Sequence, residues 1–391
     1  MGNTGNYTIF NFQNSRGTKM TENKLTRNTY LSKNAGDYKD SIEINGIKYV
    51  KVDDLRYGTN PHQTAAFYRP ENGGDVIGKM TVIKNGKSGL SQTNLEDISY
   101  SLNIVKFFDK PACACMKHVN PCGAAVASEG DSLLDVYIKA YQSDPRAAFG
   151  SVIAFNVKVD APTAREIMKT FVECVVAPDY DQEAIDIFCD PEAKLNKHVR
   201  ILKCGDISKL PKYVGDDTSM AKTIKVLGDG SLIIADPLMT NIHGVEDLKP
   251  ARAESKTLGM VESTVKAKPG QLEDLVAAWY INISVRSNGV IIVKKGGTLC
   301  VGTGEQDRVG AVEQAIEKFG QKYEGKEVLQ DAVMASDGFF PFPDGVEVAA
   351  KAGITAIIAP SGSLKDADVI KRANELGVAL FHAPERVFSH H

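Results

Sequence analysis

The chain has 391 residues, of which 43% are hydrophobic and 24% charged, and its formal net charge is −3 at pH 7. This length and apolar content allow two domains of ordinary size or one large α/β unit, whereas the lack of a basic excess argues against general nucleic-acid binding. No apolar run reaches the roughly 18 to 20 residues that span a bilayer, residues 1–24 lack a secretory signal, and seven widely spaced cysteines are typical of a reducing compartment. We therefore expect a cytoplasmic protein that binds neither nucleic acid nor membrane.

The beginning of the chain predicts an extension followed by a hairpin. Residues 1–44 are assigned to a flexible N-terminal extension, because they are mostly polar and show little periodicity. Residues 42–52 alternate between apolar and polar side chains around the pair Asn45-Gly46. This pattern predicts two short antiparallel strands joined by a tight turn.

A loop with mixed chemistry comes next, over residues 55–63. It combines Arg56 and Tyr57 with several turn-forming residues. Arginine binds phosphate or carboxylate, and tyrosine can stack or form a hydrogen bond, so the loop suits an anionic, planar ligand. The alternative is a plain turn with an exposed arginine.

Residues 117–123, with the sequence KHVNPCG, are the stretch around which the chain is organised. They follow a short buried strand that is expected over residues 112–116. Asn120-Pro121 favours a turn, so Lys117 and His118 are placed where a buried strand ends. Ligands of α/β sheets bind at such strand ends.

The Lys117-His118 pair indicates acid–base chemistry. A lysine at the end of an apolar strand is partly desolvated and is a strong electrostatic partner. Neutral imidazole accepts a proton from a weak nucleophile near pH 7, and an adjacent positive charge favours the neutral form. The alternative is that Lys117 is a solvated surface residue and His118 a hydrogen-bonded turn residue.

Helices and strands alternate through the first half, as in an α/β fold. Helices are expected over residues 94–108, 133–141, 161–173 and 181–189, and extended segments over residues 149–155, 174–177, 199–202 and 223–235. Gly150 lies at the entrance of one strand, where it would let a ligand approach the backbone, and Glu173 lies at the mouth of the next. A composition change divides the chain into a first unit, residues 45–231, and a second unit, residues 232–391.

The second half continues the alternation and contains an aromatic loop. A long helix is expected over residues 271–286, capped by Gly289. Further elements are expected over residues 290–293, 298–301, 355–359, 366–376 and 378–381. The glycines around residue 303 do not match the dinucleotide-binding fingerprint. Residues 333–344 place three phenylalanines and two prolines after a short strand, which would either stack a flat heterocycle or plug the core.

Several irregular stretches together resemble one family, in the same order along the chain. These stretches are residues 55–58, 60–63, 117–118, 120–123, 143–145, 148–150, 287–288, 306 with 308, 336–337, 339–342, 360–363, and 386 with 388 and 390. From about residue 50 to its end, the chain resembles the AICAR transformylase half of the bifunctional purine-biosynthesis enzymes that also carry IMP cyclohydrolase. The resemblance is specific, because chance does not order so many irregular loops.

The fold that this resemblance implies is two cytidine-deaminase-like α/β subdomains in one chain. Zinc deaminases need a His-x-Glu motif and a Pro-Cys-x-x-Cys motif. Here Asn120 follows two residues after His118, and Ala125 follows three after Cys122, so these ligands are missing. We therefore expect zinc-free subdomains without a catalytic metal.

The resemblance also implies formyl transfer from 10-formyltetrahydrofolate, a cosubstrate, to the 5-amino group of AICAR. His118 would accept the proton of the attacking amine, Lys117 would stabilise the charge on the formyl oxygen, and Asn288 would orient the reacting centre. The residues implied to contact the nucleotide are Arg56, Tyr57, Gly150, Glu173, Phe339, Arg386 and His390. The residues implied to line the folate pocket are Phe149, Arg308, Pro341 and Asp344. A homodimer with active sites at its interface is implied as well.

Only 55 residues precede Arg56, which is too few for a cyclohydrolase domain, so we expect a monofunctional transformylase. Two alternatives stay open. One is a related formyl- or amidohydrolase-type reaction on another purine precursor. The other is a catalytically silent chain that binds AICAR or folate as a regulator or partner subunit. The intact Lys117-His118 pair argues against the silent chain.

Overall fold

A computed structural model describes residues 33, 35–323, 325 and 327–390. Most of the predicted extension, residues 1–44, lies outside these residues. Its last four residues form a strand, Ser41–Ile44, that pairs antiparallel with Ile47–Asp54. The predicted hairpin is therefore confirmed, and Asn45 and Gly46 form its turn with the positive φ angles that such turns require.

Strands and helices follow one another in mixed order along the described chain. Up to the end of the first half they are β1 (Ser41–Ile44), β2 (Ile47–Asp54), β3 (Ala66–Pro70), β4 (Thr81–Lys84), α1 (Gln92–Val105), β5 (Ala112–Lys117), β6 (Asn120–Val126), α2 (Leu133–Gln142), α3 (Pro145–Ala148), β7 (Val152–Phe155), α4 (Ala161–Ile167), β8 (Cys174–Ala177), α5 (Gln182–Cys189) and β9 (Arg200–Lys203). They continue with β10 (Thr223–Val226), β11 (Leu232–Ala235), β12 (Lys249–Pro250), β13 (Arg252–Ser255), β14 (Gly259–Glu262), α6 (Gln271–Asn282), β15 (Val290–Lys294), β16 (Gly297–Gly302), α7 (Arg308–Tyr323), β17 (Val333–Ser336), α8 (Asp344–Ala352), β18 (Ala356–Pro360), α9 (Asp366–Glu375) and β19 (Ala379–Ala383).

One mixed sheet contains strands from both halves of the chain, in the order β12-β19-β18-β17-β15-β16-β6-β5-β7-β8-β9-β4. Strands β6 and β16 pair antiparallel at its centre. In the first half, β6 pairs antiparallel with β5 and β5 with β7, and β8 and β9 then continue the sheet in parallel. In the second half, β16 pairs antiparallel with β15 and β15 with β17, and β18 and β19 continue in parallel. The two halves therefore repeat one arrangement. Because β6 and β16 run in opposite directions, the turns of the two hairpins lie at opposite ends of the central strands.

Helices cover both faces of the sheet, so its central strands are almost fully buried. Helices α1 and α6 pack on one face, in a core shared by both halves, where Trp279 donates a hydrogen bond to the Thr240 hydroxyl at 2.9 Å. On the other face, α2, α4 and α5 cover the first half, and α7, α8 and α9 cover the second. None of the helices in the described ranges combines the length and the apolar character needed to span a membrane.

Two predicted helices end earlier in the structure than the sequence indicates. The helix predicted over residues 161–173 ends at Ile167, and the one predicted over residues 271–286 ends at Asn282. In both cases tighter turns, with bonds between residues three apart, replace the helical hydrogen bonds. Gly289 therefore lies beyond the end of α6 and does not cap it.

Two helices of the second half, α7 and α8, are not predicted from the sequence. Gly310 and Gly320 lower the helix propensity of α7, and its buried face includes the small residues Ala311 and Ala315. The predicted boundary at residue 232 coincides with the start of β11, which pairs with β10 across it.

Lys106, which follows α1, is a buried cation. It is 7% exposed, and its ammonium donates a hydrogen bond to the carbonyl oxygen of Pro211 at 2.5 Å. Burial, reinforced by the charge of Lys212, lowers the pKa of Lys106 to about 8. The stability of the fold should therefore change with pH as Lys106 loses its proton.

The difference in the free energy of unfolding between the wild type and Lys106→Met is expected to change with pH. Between pH 8 and pH 10.5 it should rise by about 3 kcal/mol in favour of the wild type. Over this range the unfolded chain still binds the Lys106 proton while the folded chain has lost it, so raising the pH favours the folded state. Urea unfolding at several pH values measures the difference. Lys110 is exposed, so Lys110→Met is the matched control. Its free energy of unfolding should rise with pH as much as that of the wild type. Parallel curves for wild type and Lys106→Met would contradict the expectation.

Candidate active site

The turn between β5 and β6 contains the predicted catalytic residue His118 and directly follows a second one, Lys117. His118 and Val119 form this turn, with φ angles of 57° and 54°. Asn120 already begins β6, so the prediction of a turn at Asn120-Pro121 is wrong. A left-handed conformation costs a non-glycine residue about 1–2 kcal/mol. Contacts from elsewhere in the fold must therefore hold the turn.

Lys117 lies against the segment that precedes β7. Its ammonium donates a hydrogen bond to the carbonyl oxygen of Phe149 at 2.7 Å. The next residue, Gly150, has a φ of 76° and donates its N–H to the carbonyl oxygen of Phe171 at 2.7 Å. A side chain at position 150 would meet the Phe171 ring at 3.2 Å, so both conformation and space require glycine. The structure thus brings together three predicted site residues.

A cavity of about 170 Å³ adjoins Lys117 and His118. It is also lined by Lys318 and Lys322 of α7, and Lys322 forms an ion pair with Asp144 at 2.9 Å. Burial, followed by the charge of Lys322, lowers the pKa of Lys318. Three lysines against one carboxylate give this cavity a positive potential, which favours an anionic group beside His118.

Arg56 and Tyr57 lie near a largely buried ion pair. The Arg56 guanidinium donates to the Tyr57 hydroxyl at 3.0 Å and lies 4.6 Å from the centre of the Tyr57 ring. The neighbouring pair is Arg200 with Glu173, whose charged atoms are 2.7 Å apart. Burial, followed by the charge of Arg200, lowers the pKa of Arg56. The buried Nε of Arg56 has no hydrogen-bond partner among the described residues, so an anionic ligand would be favourable there.

The site residues described so far are called the first group: Lys117, His118, Gly150, Arg56, Tyr57 and Glu173. Asn288 belongs to a second group, which Arg308 holds together. Arg308 donates to the side-chain oxygen of Asn288 at 2.6 Å and forms an ion pair with Asp337. Asp337 is fully buried and also accepts the N–H of Gly289 at 2.9 Å. The backbone and side-chain nitrogens of Asn288 donate to the carbonyl oxygen of Glu305 at 3.2 and 2.9 Å. The amide of Asn288 is therefore fixed in orientation.

The C-terminal residues join this second group through Phe388. The guanidinium of Arg386 lies 4.8 Å from the centre of the Phe388 ring, and that of Arg308 lies 5.9 Å from it. The ring of His390 packs edge-on against Phe388, with centres 6.1 Å apart. The structure thus brings Asn288, Arg308, Arg386 and His390 into one neighbourhood.

The aromatic loop is partly core and partly surface. Phe340 is 3% exposed, whereas Phe339 is 37% and Phe342 57% exposed. Phe340 therefore plugs the core, whereas the stacking of a flat ligand on its exposed neighbours stays a prediction. Pro341 lies in this loop and Asp344 begins α8. Within the described part of the chain, neither of them forms a hydrogen bond or an ion pair with the Lys117 hairpin.

Asn120 connects the two groups. Its side-chain oxygen accepts hydrogen bonds from the backbone N–H of Arg286 at 3.0 Å and from the Thr303 hydroxyl at 2.8 Å. Its side-chain nitrogen donates to the carbonyl oxygen of His118 at 3.3 Å. Because Arg286 stands two residues before Asn288, the His118 turn and the Asn288 segment lie side by side.

Sequence reasoning overlooked three charged residues of the site: Asp97, Arg200 and Asp337. Asp97 accepts the N–H of Val119 at 2.7 Å. Each has the same signal, a charged side chain within or directly after an otherwise apolar helix face or strand. Within the described residues, no group of three or more His, Cys, Asp or Glu side chains is arranged as a metal site.

Comparison with known proteins finds one family model and several relatives that match most of the chain. A family model described as AICARFT/IMPCHase bienzyme matches residues 20–318. The bifunctional purine biosynthesis protein PurH of Acetivibrio thermocellus is 40% identical over 347 residues, which cover 88% of this chain and 60% of that protein. PurH of Oceanobacillus iheyensis is 35% identical over 94% of this chain and 64% of its own length, and PurH of Microcystis aeruginosa is 39% identical over 86% and 59%. The chain thus spans about three fifths of the length of these relatives.

Proposed function

The chain belongs to the AICARFT/IMPCHase bienzyme family, and on this basis we propose that it transfers the formyl group of 10-formyltetrahydrofolate to the 5-amino group of AICAR in purine biosynthesis. One observation carries the proposal. Lys117 and the His118 turn are adjacent, and Asn120 fastens this turn to the Asn288 segment. A base, a cation and a fixed amide are the groups that acyl transfer to a weak amine needs.

The reaction would proceed by attack of the amine nitrogen on the formyl carbon. His118 accepts the proton that the nitrogen loses as the new C–N bond forms. Lys117 stabilises the negative charge on the formyl oxygen, and it can do so by exchanging its bond to the Phe149 carbonyl for one to that oxygen. The bond between the formyl carbon and N10 of the folate then breaks, and N10 takes up a proton. Formyl-AICAR and tetrahydrofolate leave.

The nucleotide would bind across both groups of site residues. In the first group, the unpaired Nε of Arg56 and the ring of Tyr57 offer a charge and a stacking surface. Gly150 and Glu173 belong to the same group. In the second group we assign Phe339, Arg386 and His390 to the nucleotide, as the family resemblance implies.

The folate cosubstrate would use the more exposed apolar residues. Phe149 is 55% exposed and lies beside Lys117, where the formyl group must be delivered. Pro341 and Asp344 belong to the aromatic loop and its adjoining helix. Arg308, whose contacts with Asp337 and Asn288 fix the amide of Asn288, is also assigned to this pocket, as the family resemblance implies.

We also propose a homodimer whose interface lies next to the nucleotide residues. The hairpin of β10 and β11 exposes a continuous set of apolar side chains, each between 41% and 68% accessible: Val226, Leu232, Ile233 and Ile234. Exposed apolar patches mark association surfaces. Lys225 of this hairpin donates a hydrogen bond to the carbonyl oxygen of His390. A second copy that covered the hairpin would therefore adjoin the site.

We place this activity in the cytoplasm, since all seven cysteines are free thiols, as is usual in a reducing compartment. We propose that the 391-residue chain forms formyl-AICAR and does not cyclise it to IMP. The steady-state release of tetrahydrofolate, followed by absorbance, tests the transfer. Release is expected only when both AICAR and 10-formyltetrahydrofolate are present, and an excess of EDTA should leave the rate unchanged. Release that needs no AICAR, or none with both substrates, would reject the proposal.

A further inference from the structure

The turn that carries His118 is held by a carboxylate from another element. His118 and Val119 both have positive φ, although neither is glycine. Asp97, on α1, accepts the N–H of Val119 at 2.7 Å. Burial raises the pKa of Asp97, and backbone hydrogen bonds from the turn counteract the rise. Asp97 is 7% exposed, so water has little access to this contact.

The second half of the chain contains the same device at its own hairpin. There Lys295 and Gly296 form the turn between β15 and β16, with φ angles of 52° and 72°. Asp274, on α6, accepts the N–H of Lys295 at 2.8 Å and that of Gly296 at 2.7 Å. Burial raises the pKa of Asp274, and the two backbone bonds counteract the rise, as at Asp97. The carboxylate clamp is thus a repeated feature of the arrangement.

The two clamps differ in what they hold. The turn of the second hairpin carries no histidine, and it lies at the opposite end of the central strands from His118. Glycine also relieves part of the strain in the second turn, whereas the first turn contains the β-branched Val119. The first turn therefore depends more on its carboxylate than the second does.

We propose that Asp97 is a positioning residue: by accepting the hydrogen bond of the Val119 N–H it holds the turn and so fixes the place of the His118 imidazole; the catalytic part of this inference rests on the function proposed above. Without the clamp the turn would relax toward negative φ. The direction of the His118 side chain would change with it. A misplacement of about 1 Å at a reacting group lowers the rate by about 100-fold.

The test compares Asp97→Ala and Asp97→Asn with the matched variants Asp274→Ala and Asp274→Asn. Asp97→Ala is expected to lower kcat by about 100-fold and to change the KM for AICAR less than about threefold. Asp97→Asn keeps one acceptor oxygen and should lower kcat by only about tenfold. The Asp274 variants should keep kcat within about twofold of wild type. Should Asp97→Ala fail to fold, Asp97→Asn carries the comparison.

A double variant separates positioning from a general structural effect. If Asp97 acts through His118, then His118→Ala with Asp97→Asn should have the same residual kcat as His118→Ala alone. A further tenfold loss in the double variant would overturn the inference. Equal losses of kcat in the Asp97 and Asp274 variants would overturn it as well.

Hydrogen exchange gives a readout that does not depend on the reaction. The Val119 amide should be protected in the wild type and in Asp274→Ala, and it should exchange faster in Asp97→Ala. Unchanged protection of Val119 in Asp97→Ala would refute the clamp even if the enzyme is active. A wild type that releases no tetrahydrofolate would instead reject the proposed function, while the exchange measurement would still decide the clamp.

Discussion

Replacing His118 with alanine is expected to lower the turnover of formyl transfer by about 10²- to 10⁴-fold, the usual contribution of a general base. The amine of AICAR is a weak nucleophile, because its lone pair is conjugated with the ring. Its attack on the formyl carbon therefore needs a group that takes the proton as the bond forms. Lys117 remains in the variant and still stabilises the oxygen, so the loss should appear in kcat.

Binding of the nucleotide should survive this change. The residues assigned to AICAR, among them Arg56 and Arg386, lie outside the His118 turn, so the dissociation constant for AICAR should stay within about threefold of wild type. Steady-state kinetics and isothermal titration calorimetry measure the two quantities on the same protein. His243→Ala is a matched control, because it removes an imidazole that stacks on Tyr213 and is assigned no part in the reaction. A His118→Ala variant with more than a third of wild-type turnover would contradict the assignment of the base.

Replacing Arg308 with methionine is expected to lower the free energy of unfolding by about 3–5 kcal/mol, because it leaves a buried carboxylate without its counter-charge. The charged partners are only 6% and 0% exposed, so water cannot replace the lost cation at Asp337. The variant also loses the bond that fixes the side-chain oxygen of Asn288. Turnover should therefore fall together with stability.

The double variant Arg308→Met with Asp337→Asn, which keeps an acceptor for the Gly289 N–H, distinguishes a stranded charge from a loss of packing. Removing both charges should recover most of the lost stability, since the cost of the single change is mainly the unpaired carboxylate. Urea unfolding measures the free energies. Arg372→Met is the surface control: its exposed pairs with Glu347 and Glu375 should contribute far less to stability than the buried pair of Arg308 with Asp337. A loss of less than about 1 kcal/mol in Arg308→Met would contradict the expectation.

Local patterns predict much of the sheet and of its covering helices. The sequence predicts the apolar strands β5, β8 and β15 and the turn at Asn45-Gly46. A strand or a tight turn depends on residues that are neighbours in the sequence, so a local pattern suffices to predict it. Helix ends are less visible, because tertiary contacts decide where α4 and α6 give way to tighter turns.

The position of the His118 turn could not be read from the sequence. A left-handed Val119 contradicts local preference, and it is compensated by Asp97, more than 20 residues earlier in the chain. The same limit applies to the pair of Arg308 with Asp337 and to that of Arg200 with Glu173, which are 29 and 27 residues apart. Such contacts form only when the sheet brings distant strand ends together.

The most direct test of the proposed function is to identify the nucleotide product by mass spectrometry after incubation with AICAR and 10-formyltetrahydrofolate labelled with ¹³C in the formyl group. We predict labelled formyl-AICAR, formed in equal amount to tetrahydrofolate, with no IMP. Labelled IMP would show that this chain also cyclises the product. Bound AICAR without any labelled nucleotide would contradict formyl transfer and favour a chain that binds its ligand without turning it over.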